Sequence, residues 1–286
     1  MKTLVIGATG TVGSQVVAGL LAKGETVRVM TRTPDKAKAL GNVEIMQGDL
    51  TDPTTAKACF EGVDAVFMLN PVSMTETHEG LTGVELARAA GVKKFVYMGV
   101  QHAHVALQIP HFGSKAAVEN ALKISGMTWT MLQPNNFFQN DYWVKDALLQ
   151  MGVYPQPVGD IGCHRVDVRD IADAAVNALT KTGFENKAYV LCGPKPLNGA
   201  ACAEVWSTAL GKKINYAGND LGAWGKAMSA MMPAWAIFDM TVMYSHFQKH
   251  GLKSTDAEVK ACETIVGHPL RTFEAFATET AANWKK

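Results

Sequence analysis

The sequence predicts an α/β fold built on a doubly wound, mostly parallel sheet, with a smaller, mainly helical C-terminal part. Three observations predict it. Short β-branched apolar runs alternate with helical stretches through the first half of the chain. Those runs are apolar throughout instead of alternating with polar residues, which suits a parallel sheet covered on both faces. The first of them, "TLVIG", leads at once into "GATGTVG", a glycine loop that opens a helix.

The elements follow in order. "TLVIG" reads as a strand and "TVGSQVVAGLLAKG" as a helix closed by Gly24. "TVRVMTR" is a strand and "VEIMQGDL" a strand and turn. "DPTTAKACFEG" is a helix, with Asp52 as N-cap and Pro53 at the first helical position. "DAVFMLN" (strand), "THEGLTGVELARAAG" (helix), "KFVYMGV" (strand), "GSKAAVENALKISG" (helix) and "TWTMLQP" (strand) complete the alternation. After Pro134 the rhythm changes. "NNFFQNDYWVKDALLQMG" reads as a helix rich in aromatics, "DVRDIADAAVNALTKTG" as a helix stopped by Gly183, and "KAYVLCG" as a strand. "NGAACAEVWSTALGK", the Met- and Trp-rich region 219–250 and the final "TFEAFATETAANWKK" read as helices. There is no internal repeat and no low-complexity linker. The expected organisation is therefore a core of residues 1–134 and an interleaved part, 135–286, that completes the sheet and forms a substrate-binding lobe.

Composition narrows the function classes. Of 286 residues 48% are hydrophobic and 19% charged, enough apolar material for a sizeable core and too little charge for disorder. The formal net charge is +1, so no overall field recruits nucleic acid or anionic lipid. No apolar run approaches the roughly 18 residues of a spanning helix, and the start "MKTLVIGATG" has too short an apolar run for a signal peptide. Five scattered cysteines (59, 163, 192, 202, 262), with no CxxC, point to reduced thiols in a cytoplasmic protein, without disulfides or structural zinc.

The glycine loop sits in the context that gives it meaning, with a strand before it and a helix after it. In a Rossmann dinucleotide site Gly7 permits the tight turn, Gly10 lets backbone approach a pyrophosphate, and Gly13 lets helix and strand pack closely. Thr9, Thr11 and Val12 complete the loop, and its N–H groups and the helix dipole meet the phosphate charge. At the end of the second strand, where NAD sites place an acidic residue, this chain has Thr31 and Arg32, with Lys36 a turn later. A guanidinium suits a 2′-phosphate, so the expected cofactor is NADP (NADPH) in preference to NAD. Asp49 stands where a carboxylate meets an adenine amino group, with Leu50 beside the ring, and equally where a turn residue or helix cap belongs. Leu69, Asn70 and Pro71 end the fourth strand, at the carboxyl edge where ligands lie in such sheets.

The segments "GATGTVG", "GDLTDP", "KFVYMG", "GMTWTMLQPNNFFQN", "HRVDVRDIADAAVNAL" and "YVLCGPKPLNGAACAEVWSTALGKKI" together resemble the NmrA-like family, atypical members of the short-chain dehydrogenase/reductase superfamily. The resemblance runs from Lys2 to the final helix at Trp284. It implies NADPH-dependent reduction of quinones, dyes or plant phenolics, or non-enzymatic sensing of the nicotinamide redox state. The resemblance implies a comparison with the classical superfamily members, which carry Tyr-x-x-x-Lys where this chain has "HFGSK", His111 to Lys115. The tyrosine is missing, and Met98, Gly99 and Val100 offer no hydroxyl at the end of the fifth strand. Lys115 matches the family's lysine, which implies bonds to the nicotinamide-ribose hydroxyls. Pro134 and Asn135, at the end of the sixth strand, are added to the expected cofactor site.

His111 matches only by position. If the helix includes it, His111 and Lys115 share a face, and the helix N-terminus and the lysine both favour a neutral imidazole. Such a ring can polarise a carbonyl with one N–H bond, and it can equally be a pocket-wall histidine. His111 and Lys115 are the catalytic candidates. His102, Asn136, Phe137 and Phe138 are candidates for a substrate pocket, alongside Tyr142 and Trp143, with some of these aromatics expected in the core. His102, His104 and His111 have no carboxylate or cysteine beside them, so no metal is expected. The expected activity is NADPH-dependent reduction of a small conjugated acceptor of quinone, enone or dye type. The alternative is a non-catalytic NADP(H)-binding sensor acting through a protein partner. A homodimer would fit either.

Overall fold

The structure, a computed structural model, describes residues 1–285. Its contacts divide the chain into two units. The first consists of Met1–Pro134, Val168–Val190 and Ala261–His268; the second of Asn135–Asp167, Leu191–Lys260 and the stretch from Pro269.

The strands β1 (Lys2–Ile6), β2 (Thr26–Thr31), β3 (Glu44–Gln47), β4 (Ala65–Met68), β5 (Lys94–Met98), β6 (Thr128–Pro134) and, later in the chain, Lys187–Leu191 form one seven-stranded sheet. Its order is β3-β2-β1-β4-β5-β6 and then the Lys187–Leu191 strand. The pairs from β3 across to β6 are parallel. The strand order reverses between β1 and β4, which places a crevice at their carboxyl ends, where doubly wound sheets bind ligands. Val66, Phe67, Phe95 and Val96 are fully buried, as expected for strands covered on both faces.

The helices of the first unit are α1 (Thr11–Ala22), α2 (Pro34–Ala37), α3 (Pro53–Phe60), α4 (Glu76–Ala89), α5 (Pro110–Lys123) and Val168–Thr180. Asp52 caps α3 as its sequence predicts, accepting from the Thr54 N–H at 3.2 Å. On one face of the sheet, Phe60, Val84, Ala87, Val118 and Leu122 pack against Leu4, Val66, Met68, Phe95, Tyr97 and Met131. Elsewhere α1 and the 168–180 helix approach so closely that a Cβ on Gly19 would lie 2.8 Å from Val176 Cγ2. Arg28, within β2, is buried and structural. Its guanidinium donates to Cys59 O (2.9 Å), Glu61 O (2.6 Å) and Glu44 Oε1 (2.9 Å).

After Pro134 the structure departs from the sequence reading in four places. The segment 135–152 is not an α-helix: Phe138–Val144 is a 3₁₀ helix and Ala147–Met151 a π turn. Residues three apart eclipse in a 3₁₀ helix, so Phe138 and Asp141 both turn inward. Asp141 is held there by Arg165 (2.7 Å), Gln156 Nε2 (2.7 Å), Trp206 Nε1 (2.8 Å) and the Tyr154 hydroxyl (3.2 Å). The 219–250 region is two helices, Leu221–Met228 and Ala234–His250, divided before Pro233, with Met231 and Phe238 exposed. A two-stranded parallel pair, Val153–Tyr154 with Asn215–Tyr216, has no counterpart in that reading, and neither does the helix Asp256–Val266. The helices Gly199–Leu210 and Phe273–Trp284 stand where "NGAACAEVWSTALGK" and "TFEAFATETAANWKK" place them; Lys286 lies outside the described residues. Trp206 is buried among Phe138, Phe273 and Phe276 and stacks on Trp284 at 5.0 Å.

Candidate active site

Each glycine of the loop does a different job. Gly7 follows β1 at φ +83°, and a Cβ there would lie 2.7 Å from Leu69 O, so only glycine fits where the chain leaves β1 beside the end of β4. A Cβ on Gly13 would lie 2.2 Å from Gly7 O, which fixes α1 against the loop. Gly10 is exposed and extended (φ −84°, ψ 174°), and an added Cβ would meet only Gly7 O, at 3.4 Å. The packing of the chain itself does not require glycine at position 10. As N-cap it has no side chain to bond the first turn of α1, which leaves the Thr11, Val12 and Gly13 N–H groups for an anion. Thr9 and Thr11 are exposed beside it, and Val12 is buried as core. This cradle fits the pyrophosphate of a dinucleotide.

At the end of β2 Arg32 and Lys36 are exposed, in contrast to the buried Arg28. Asp49 Oδ1 accepts from the Thr51 N–H (2.9 Å) and hydroxyl (2.8 Å), so this carboxylate does shape the turn. Those bonds, then the charge of Arg32, hold its carboxyl below the usual range. Leu50 is buried in the core next to it. At the end of β4 Leu69 is half-buried and Pro71 exposed. Asn70 is buried, and its Oδ1 has no hydrogen-bond partner among the described residues.

The helix α5 starts at Pro110 and includes His111, so His111 and Lys115 share a face. Both are buried. His111 packs edge-on against Phe112, with ring centroids 4.8 Å apart. Lys115 Nζ lies 2.7 Å from Glu76 Oε1 and donates to Asn70 O at 3.4 Å. Glu76, in the first turn of α4, is only 1% exposed. The lysine is thus half of a buried ion pair. Removing either partner of such a pair costs about 3–5 kcal/mol. An ammonium has three N–H donors, so one remains for a ligand.

A second buried carboxyl lies one turn further along α5. Glu119 takes bonds from Gln133 Nε2 to both its oxygens, each 2.9 Å, and burial pushes its carboxyl up. On β5 Tyr97 is fully buried, its phenol pushed up by burial and then by the charges of Glu76 and Glu119. None of Glu76, Tyr97, Glu119 or Gln133 carries a local sequence signal.

His102 is half-buried in the left-handed region (φ 54°) after β5, its ring 6.3 Å from that of the exposed His104. Pro134 O accepts from the Gln101 N–H at 3.0 Å. Within the second unit, Asn135 is committed to the fold: Nδ2 donates to Leu252 O (2.7 Å) and Oδ1 accepts from the Asn136 N–H (2.7 Å). Asn136 Oδ1 and Phe137 O accept from Arg165, while Phe138 belongs to the core. Phe137 is half-buried, and Tyr142 and Trp143 are exposed. The one grouping of three ligand-type side chains among the described residues is Asp170, Asp173 and His268, with His268 Nε2 3.0 Å from Asp173 Oδ2. No helix among the described residues is long and apolar enough to cross a membrane.

A doubly wound, mostly parallel sheet with this glycine loop after its first strand defines a Rossmann-type dinucleotide-binding protein. More closely, the chain belongs to the NmrA-like family, whose pattern matches residues 1–277. It is 35% identical, over 98% of both chains, to an NAD(P)H azoreductase of Xenophilus azovorans. It is 31% identical, over 97% of both chains, to a (4-alkanoyl-5-oxo-2,5-dihydrofuran-3-yl)methyl phosphate reductase of Streptomyces griseus. Its fold is shared with an NADPH-dependent quinone oxidoreductase of Escherichia coli solved with NADPH, at a TM-score of 0.87 and 23% identity, covering 99% of this chain and all of that one.

Proposed function

We propose that the protein is an NADPH-dependent reductase of a small, flat, conjugated acceptor of quinone, enone or dye class. The observation that carries the reading is Gly10: an exposed, sterically unrestrained glycine at the mouth of a loop whose other two glycines are fixed by packing. Similarity over nearly the full length to an NAD(P)H azoreductase supports the same reading.

The residues divide the work. The loop from Gly7 to Gly13, through Thr9, Gly10, Thr11 and Val12, takes the pyrophosphate on its N–H groups. Arg32 takes the 2′-phosphate. Asp49 and Leu50 receive the adenine, and Leu69, Asn70 and Pro71 border the adenosine ribose. Lys115 gives its remaining N–H to the nicotinamide ribose, held in place by Glu76 and Asn70 O. Bound NADPH supplies hydride. His111 offers one hydrogen bond to the oxygen on which charge develops, a contribution of about 0.5–1.5 kcal/mol. A quinone needs little more, because its reduced anion is a stable phenolate. This fits a chain with no tyrosine four residues before Lys115.

The test is NADPH oxidation against quinones, enones, aldehydes and dyes, beside calorimetric titration with NADPH and NADP. Turnover on a conjugated acceptor supports the reductase. Tight binding with no turnover on any class supports the redox sensor instead.

A further inference from the structure

The Lys115–Glu76 pair carries a consequence for which oxidation state of the cofactor the protein prefers. Lys115 Nζ and Glu76 Oε1 are 2.7 Å apart with 6% and 1% of their side chains exposed, so neither charge is screened by solvent. The pair sums to zero. A buried lysine alone would present a full positive charge to whatever binds beside it. The nicotinamide ring is neutral in NADPH and carries a positive charge in NADP, so an uncompensated lysine would favour the reduced cofactor and expel the oxidised one.

We propose that Glu76 is a positioning residue that sets this balance: as the buried counter-ion of Lys115 it neutralises the nicotinamide end of the site, so that product NADP is held about as readily as NADPH. The inference rests on the reading that Lys115 meets the nicotinamide ribose. Other charges face the same group. Glu119 lies one turn along α5 and interacts electrostatically with Lys115, Lys123 lies beyond it, and Tyr97 on β5 feels the charge of both carboxyls. His111 stands one turn before Lys115. Of these groups, only Glu76 is in direct contact with the ammonium in an ion pair.

The test is a charge cycle read by calorimetry as the ratio of the NADP to the NADPH dissociation constant. Glu76→Gln leaves the lysine uncompensated and is expected to raise the ratio about five- to tenfold. Lys115→Met leaves the carboxylate uncompensated and is expected to lower it. The double variant, with neither charge, and Glu76→Asp, with both, are expected to return near the wild-type ratio. A purely structural role would weaken both cofactors alike in every variant, leave the ratio fixed, and overturn the proposal. If Glu76→Gln does not fold, Lys115→Met and the double variant carry the same sign test. The parent reading fails separately: if Lys115→Met changes neither dissociation constant, Lys115 does not meet the cofactor at all.

Discussion

Gly99 and Glu119 compete for one space: a Cβ built on Gly99 would lie 2.2 Å from Glu119 Oε1. The end of β5 is where the superfamily's hydroxyl residue is expected, and here a buried carboxyl from α5 fills that position. The absent serine is thus part of a different local design, in which Gln133 holds Glu119 against the strand. Gly99→Ser should lose about 1–3 kcal/mol of stability by overpacking. Denaturant unfolding measures it, and Gly99→Ser/Glu119→Ala should recover part of the loss.

Glu119 also makes stability depend on pH in an unusual direction. Burial raises its folded-state pKa above the unfolded value of about 4.3. Between those two values the native state binds more protons than the unfolded state, so this contribution falls as pH rises. It is fully present below about pH 4.3 and lost once pH passes the raised folded value. Glu119→Gln should remove that slope. Unfolding free energies of wild type and variant, subtracted pH by pH, should therefore show the wild type losing ground upward from the ordinary carboxylate range; a flat difference would place Glu119 in a water-like environment.

The sequence reading reached the sheet, the loop and Lys115 because those signals are local: an apolar run, a glycine spacing, a helix start. It did not reach Glu76, whose place in the first turn of α4 looks like an ordinary complement to the helix dipole. Only the packing of α4 on α5 brings it to Lys115. Glu119 and Gly99 share no motif for the same reason. In the segment 135–152, aromatics at helical spacing do not reveal that Asp141 must turn inward to Arg165, a partner supplied by tertiary structure. Arg28 and Arg32 show the limit from the other side. They lie on one strand and its end, yet one is buried in backbone carbonyls and the other is exposed.

Two of the loop glycines should separate binding from folding. Gly10→Val has backbone angles a valine adopts and only a 3.4 Å contact to Gly7 O, so the protein should fold with nearly wild-type thermal stability yet not bind NADPH. Gly13→Ala places a Cβ 2.2 Å from that same oxygen and should cost about 1–3 kcal/mol of stability. Calorimetry and thermal unfolding on the two variants check both halves. Normal NADPH affinity in Gly10→Val would remove the loop from the cofactor site.

Arg32→Ala should weaken NADPH by about 1.5–3 kcal/mol, the worth of a charge-assisted hydrogen bond, and leave NADH nearly untouched. Equal losses for the two cofactors, measured by titration at one ionic strength, would show that Arg32 does not read the 2′-phosphate.

The central claim is that the bound cofactor is used. The most direct measurement is an anaerobic single turnover: protein pre-loaded with one equivalent of NADPH, mixed rapidly with a soluble naphthoquinone or azo dye, with the reduced nicotinamide absorbance followed in time. The account predicts a complete exponential loss of that absorbance, at a rate that saturates with acceptor and is slowed by Lys115→Met. An absorbance that stays constant with every acceptor class, in protein shown by calorimetry to hold NADPH tightly, would contradict it.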